Sequence, residues 1–176
     1  VGLPVALACA RKHPGTIGFD INTRRVATLR TGVDHSREVP PEVLKASSLE
    51  ITSDPEALRK ANFFIVAVPT PVDEDNRPDL RALLSACDIV GKVMPAGSIV
   101  VFESTVYPGL TEEVCGPALA KYRVPFKLGY SPERINPGDK LHTLERITKV
   151  VSGEDAETLE RVAATYGAII DAGVFR

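Results

Sequence analysis

Along the chain, short runs of consecutive apolar residues alternate with longer segments whose apolar positions recur at helical spacing. Phe63-Phe64-Ile65-Val66-Ala67-Val68 is a run of strand length, stopped by Pro69-Thr70-Pro71, and has the pattern of a parallel strand covered on both faces. Similar runs predict strands at 16–19, 49–52, Ser98–Phe102, Phe126–Tyr130 and 147–152. Between them the pattern predicts helices. The first lies behind Gly2-Leu3-Pro4, with its proline in the first turn, where a missing N–H costs least. The second covers Thr23–Arg30, capped by Asn22 and closed at Gly32. Others follow at Pro41–Ala46, from Ser53-Asp54-Pro55-Glu56 to near Ala61, and over 80–94, 110–122 and 154–167, whereas 131–146 reads as irregular. Residues 168–176 show no stop signal. Strand and helix in rotation mean an open, doubly wound, mostly parallel α/β sheet.

Composition narrows the function classes. The 176 residues are 44% hydrophobic and 25% charged, with a net charge of −2, which suits one ordinary domain able to bury a core. No basic run reaches five residues and the pI is about 6.0, so no positive field is available for nucleic acid. No apolar run approaches the roughly 20 residues of a membrane span. Cys9, Cys87 and Cys115 are odd in number and lie in predicted helices, so they read as reduced packing thiols of a cytoplasmic protein. His13, His35 and His142 are scattered without metal-ligand spacing, and no metal site is expected.

In sheets of this kind ligands bind outside the carboxyl ends of the strands, so the chemistry is sought there. Gly2 opens a helix and Asp20 ends the strand that follows it. That is the spacing of the last glycine and the ribose-binding acid in a dinucleotide-binding βαβ unit. Arg25, a turn beyond Asp20, suits the adenine end, although a solvated helix face beside Arg24 is an equal reading. An acid at this place favours NAD over NADP. The preceding strand and earlier glycines of the motif are missing, and the N-terminus of the natural protein is therefore expected to be absent, leaving unpaired strand edges that would make an isolated piece fold poorly or dimerise.

Two further strand ends carry hydroxyls beside prolines, at Pro69-Thr70-Pro71 and Glu103-Ser104-Thr105-Val106-Tyr107-Pro108-Gly109, where Ser104 or Thr111 alternatively caps the next helix. The richest end is Tyr130-Ser131-Pro132-Glu133-Arg134-Ile135-Asn136-Pro137-Gly138-Asp139-Lys140, a stiff loop with more ionisable groups than a connector needs. Glu133 reads either as a general base for water, or an orienter of a substrate hydroxyl, or as an ion-pair partner of Arg134 or Lys140.

Together these segments resemble the UDP-glucose/GDP-mannose dehydrogenase family, and within it the bacterial UDP-N-acetylglucosamine and UDP-N-acetylgalactosamine 6-dehydrogenases of capsule and O-antigen synthesis. The carriers are Val1-Gly2-Leu3-Pro4, Phe19-Asp20-Ile21-Asn22 with Arg25-Val26, Ala67-Val68-Pro69-Thr70-Pro71, the segment 103–109 and the segment 131–140. The resemblance implies that 1–176 is the Rossmann-type NAD-binding domain, lacking its first strand, of a larger homo-oligomeric cytoplasmic enzyme. The central helix and the C-terminal UDP-sugar-binding domain are then absent, and the piece alone is expected to be inactive. It implies oxidation of a sugar C6 alcohol to the acid in two NAD-dependent steps, through a thiohemiacetal and a thioester on a cysteine outside this chain.

By the same resemblance the Val1 backbone approaches the pyrophosphate beside Gly2, and Asp20 and Arg25 hold the adenosine. Thr70 and Thr105 line the dinucleotide cleft, Thr105 also fixes a water or oxyanion near C6, and Glu133 supports thioester hydrolysis. Arg134 and Asn136 contact the UDP-sugar. Pro69-Thr70-Pro71 and Arg134-Ile135-Asn136-Pro137-Gly138 depart from the UDP-glucose branch and favour an N-acetylated sugar. Pro137 stands where that branch has a second glutamate, so a two-carboxylate mechanism does not carry over. The competing readings are a UDP-glucose or UDP-N-acetylmannosamine dehydrogenase, an inert nucleotide-binding fragment, and a simpler reductase of a hydroxy acid.

Overall fold

The computed structural model describes residues 2–133 and 146–176. Helix α1 (Gly2–Lys12) leads into β1 (Ile17–Phe19), α2 (Thr23–Arg30), α3 (Pro41–Ala46) and β2 (Glu50–Thr52), which pairs parallel with β1. A 3₁₀ turn (Pro55–Lys60) precedes β3 (Phe63–Val66), α4 (Arg81–Val93) and β4 (Ser98–Phe102). Then come α5 (Gly116–Ala120), β5 (Phe126–Tyr130), β6 (Lys149–Val150), β7 (Ser152–Gly153), α6 (Ala156–Gly167) and β8 (Val174–Phe175). The main sheet runs β3-β4-β5-β7, parallel except for β7, while β6 pairs with β8. Among the described residues β1 pairs only with β2 and β3 only with β4, so an open cleft lies between the two groups of strands.

The period-two alternation of β4 explains the layering. Val100 and Phe102 face α4 and α5 in one core with Leu83, Cys87, Val90 and Leu119, while Ile99 and Val101 face α1 and α6 in another with Val5, Ala8, Val162 and Tyr166. Helices on both faces make the doubly wound α/β arrangement read from the sequence. Two starts are capped as the sequence predicts, Asn22 accepting from the Arg25 N–H at 3.0 Å and Asp54 from the Glu56 N–H at 3.0 Å, and Asp155 adds a third by accepting from the Thr158 N–H at 2.8 Å.

Several elements differ from the sequence reading. The helix after Asp54 is 3₁₀, a form common in connectors this short. The segment 110–122 opens with a π turn (Thr111–Cys115) in which the Gly116 N–H reaches the Thr111 carbonyl. Pro117, with no N–H of its own, cannot supply the regular bond one turn back. Strand β3 ends at Val66 and is fully buried only at Phe64 and Val66, while Phe63 and Ile65 on its other face are half-buried against the α1 and α6 core. The run 147–152 is not one strand. Val151 is buried between β6 and β7, where the chain passes from one sheet to another, and β8 was not anticipated.

Gly153 makes that crossing possible. A Cβ there would sit 2.5 Å from the Leu159 N and 2.9 Å from the Leu159 Cα, inside the backbone of α6. Gly153→Ala is therefore expected to destabilise the fold by roughly 1–3 kcal/mol, the cost of overpacking, measurable as a lower urea midpoint. An unchanged midpoint would show that α6 can move aside.

Candidate active site

The sequence places four reactive segments after four strands, and folding brings them to one side of the sheet. Asp20 follows β1, Thr70 follows β3, Thr105 follows β4 and Glu133 follows β5. All four, with Gly2 and Arg25, border one end of an opening that also runs down between β1 and β3 past Cys9, His13 and Asn62. Strand pairing continues past the regular strands and holds these ends rigidly: the Glu103 N–H bonds the Val66 carbonyl at 2.9 Å, the Ser131 N–H the Phe102 carbonyl at 2.9 Å, and the Glu133 N–H the Glu103 carbonyl at 3.3 Å. Val1, Arg134 and Asn136 lie outside the described residues.

At the β1 end, Asp20 accepts the Asn22 N–H through Oδ1 at 2.8 Å, while Oδ2 lies 3.4 Å from the Arg25 Nε. The Arg25 guanidinium also stands 3.7 Å from buried Asp34. Burial would push the Asp34 carboxyl up, but the Ser36 hydroxyl and the N–H groups of Ser36, Glu38 and Val39 outweigh it and hold it below its ordinary value. Arg25 thus lies within reach of two acids. Gly2 opens α1 tightly against β3: a Cβ there would lie 3.2 Å from the Ala67 Cβ. A helix start brought so close to a strand end offers its free N–H groups to an anion.

The middle of the cleft is set by two hydroxyls. Thr70 Oγ1 donates to the Thr105 carbonyl at 2.8 Å, which ties the β3 and β4 ends together and leaves Thr70 only its lone pairs for a ligand. Ser104 does not cap a helix. Its hydroxyl donates to the Val68 carbonyl at 2.6 Å, a second tie between the same two ends, and Leu110 starts the next turn with no side-chain cap. Thr105 itself is exposed.

At the β5 end the structure adds what sequence reasoning missed. Glu133 is ion-paired with Lys149, at 3.0 Å, while Arg134 and Lys140 lie outside the described residues. Lys149 Nζ also lies 3.3 Å from Glu103 Oε1 and 3.4 Å from the Pro132 carbonyl, so each of its three donors has an acceptor. The Tyr166 hydroxyl donates to Glu103 Oε1 at 2.8 Å. Side-chain exposure is 0% for Glu103, 5% for Lys149 and 9% for Glu133. Burial pushes the Glu103 carboxyl above the ordinary carboxylate range, with the Lys149 ammonium and the Tyr166 hydroxyl pulling the other way. The available signals were an acid closing an all-apolar strand and a lysine inside the apolar run 147–152.

The cysteines serve packing. All three are buried and free, and burial, followed by the facing Glu103, pushes the Cys9 thiol up to about 11, far from a usable nucleophile. Among the described residues no helix is long and apolar enough to cross a membrane, and no group of three or more His, Cys, Asp or Glu could hold a metal ion.

Known proteins match this arrangement throughout. The chain is 54% identical over 181 residues to Protein CapL of Staphylococcus aureus, covering 100% of this chain and 42% of that protein. It is 49% identical over 182 residues to a UDP-N-acetyl-D-glucosamine 6-dehydrogenase of Pseudomonas aeruginosa, covering 100% of this chain and 43% of the other. The solved UDP-D-ManNAc dehydrogenase of Pyrococcus horikoshii superposes with a TM-score of 0.89 at 30% identity, over 99% of this chain and 44% of that one. The chain therefore spans less than half the length of the relatives it matches. Residues 1–170 match the NAD binding domain of the UDP-glucose/GDP-mannose dehydrogenase family, and the chain belongs to that family.

Proposed function

We propose that the protein carrying this chain oxidises the C6 hydroxyl of a UDP-N-acetylhexosamine to the carboxylate, with NAD, in the synthesis of surface polysaccharide. The observation that carries this reading is that Asp20, Thr70, Thr105 and Glu133 follow the carboxyl ends of β1, β3, β4 and β5, with Gly2 and Arg25 beside the same opening. The name of the Pseudomonas aeruginosa relative supports the choice of sugar. NAD supplies the hydride acceptor. The start of α1 faces its pyrophosphate, Asp20 accepts from the ribose hydroxyls and repels a 2′-phosphate, and Arg25 closes the adenosine end. Thr105 offers an exposed hydroxyl for a water or oxyanion near C6, and Glu133 takes a proton from the water that hydrolyses the thioester. Arg134 and Asn136 contact the UDP-sugar, and Val1 approaches the pyrophosphate through its backbone. The buried free thiols suit a reducing compartment, which supports a cytoplasmic enzyme, and the complete protein is taken as a homo-oligomer by its resemblance to the family.

The test is NADH release by the complete gene product offered UDP-glucose and the UDP-linked N-acetyl derivatives of glucosamine, galactosamine and mannosamine in turn. Two NADH per sugar consumed, on UDP-N-acetylglucosamine or UDP-N-acetylgalactosamine, is the expected result. Activity restricted to UDP-glucose, UDP-N-acetylmannosamine or a hydroxy acid would overturn the substrate assignment. In the same assay Asp20→Asn retains the bond to the Asn22 N–H but loses the charge. It is expected to raise the KM for NAD by roughly 10- to 100-fold, the worth of a charge-assisted hydrogen bond, with kcat at saturating NAD little changed. An unchanged KM would remove Asp20 from the cofactor site.

A further inference from the structure

A carboxylate that handles a water must be held where the water is, and the wall of the cleft behind Glu133 contains a device that can do this. We propose that Lys149 is a positioning residue, its ammonium anchored on fully buried Glu103 and holding the Glu133 carboxylate at the cleft wall. This inference rests on the reading of Glu133 as the group that serves hydrolysis.

The geometry argues for a bracket rather than an incidental ion pair. Lys149 begins β6, Glu103 follows β4, and Glu133 lies beyond β5, so three strand ends converge on one nitrogen. The acceptors at 3.0, 3.3 and 3.4 Å leave that nitrogen no unused donor. The Tyr166 ring lies 5.5 Å from it and covers its remaining side. Glu103 is held from the opposite direction by the Tyr166 hydroxyl, and among the described residues its Oε2 has no hydrogen-bond partner. Glu103 borders the cleft beside the core formed by α1 and α6 residues, and its partners Lys149 and Tyr166 both come from protein elements. The inward side of the triad therefore fixes the ammonium, and the ammonium fixes the carboxylate that borders the cleft.

The complete gene product with K149M, K149M/E103Q, K149R and E133Q tests this. K149M leaves Glu103 buried without its counter-charge and melts early; K149M/E103Q removes that charge and is expected to regain most of the lost melting temperature. Its kcat nevertheless stays about 10- to 100-fold low, the effect of a misplaced group, with the KM for NAD and for the UDP-sugar unchanged, and K149R recovers kcat. Adding E133Q to the double variant lowers kcat no further than E133Q alone. A double variant no more stable than K149M overturns the anchoring, and one with the kcat of the parent protein overturns the positioning. If E133Q alone retains full kcat, the fault lies in the role given to Glu133.

Discussion

Glu133→Gln is expected to lower kcat by roughly 10²- to 10⁴-fold, the usual contribution of a general base, with little change in either KM. The amide keeps the shape of the side chain and can still accept from Lys149, but it cannot take a proton from water. If Glu133 serves the hydrolytic step, both oxidations precede the block. Rapid mixing of the complete gene product with NAD and UDP-sugar should then give a burst of NADH, followed by slow turnover. Loss of the burst together with the steady state would move the role of Glu133 to an oxidation step. Full activity would reduce it to the ion pair with Lys149.

Lys149→Met is expected to cost about 3–5 kcal/mol of stability near neutral pH, because it strands a carboxylate that has no access to water. The loss should depend on pH in a direction set by Glu103. Burial already holds that carboxyl above its ordinary value near 4.5, and removing the ammonium removes an opposing influence. Above about pH 4.5 the folded variant then retains a proton that the unfolded chain has released, and stability falls as pH rises. The deficit against the parent protein is smallest at about pH 5 and grows toward about pH 8. Glu133, Tyr166 and Cys9 face the same site, and their interactions with Glu103 are the background for the comparison. Urea melts at several pH values read the effect, and a deficit independent of pH would show that removing Lys149 does not change the protonation of Glu103 over that range.

The candidate site was partly legible in the sequence. Asp20, Thr70, Thr105 and Glu133 stood out because each follows a strand and sits near a proline or a helix cap, features written into a few adjacent residues. The hydroxyls were read as groups aimed at the cleft, and the structure uses Thr70 and Ser104 first to tie two strand ends together. Arg134 and Lys140, the neighbours considered as ion-pair partners of Glu133, lie outside the described residues, and Glu133 pairs with Lys149, 16 residues on. That partner is brought in by how β4, β5 and β6 converge, which no local pattern announces.

By itself the sequence determined the strand-helix rotation, the caps at Asn22 and Asp54, and the strands Ser98–Phe102 and Phe126–Tyr130, all consequences of local periodicity and local hydrogen bonding. Tertiary structure alone decided that 147–153 divides between two sheets, that β8 pairs with β6, and that a lysine is buried between two glutamates. A charge can be buried only where opposite charges and donors converge on it. Here they come from elements as far apart as Glu103 and Tyr166, 63 residues along the chain, and no local pattern encodes their meeting.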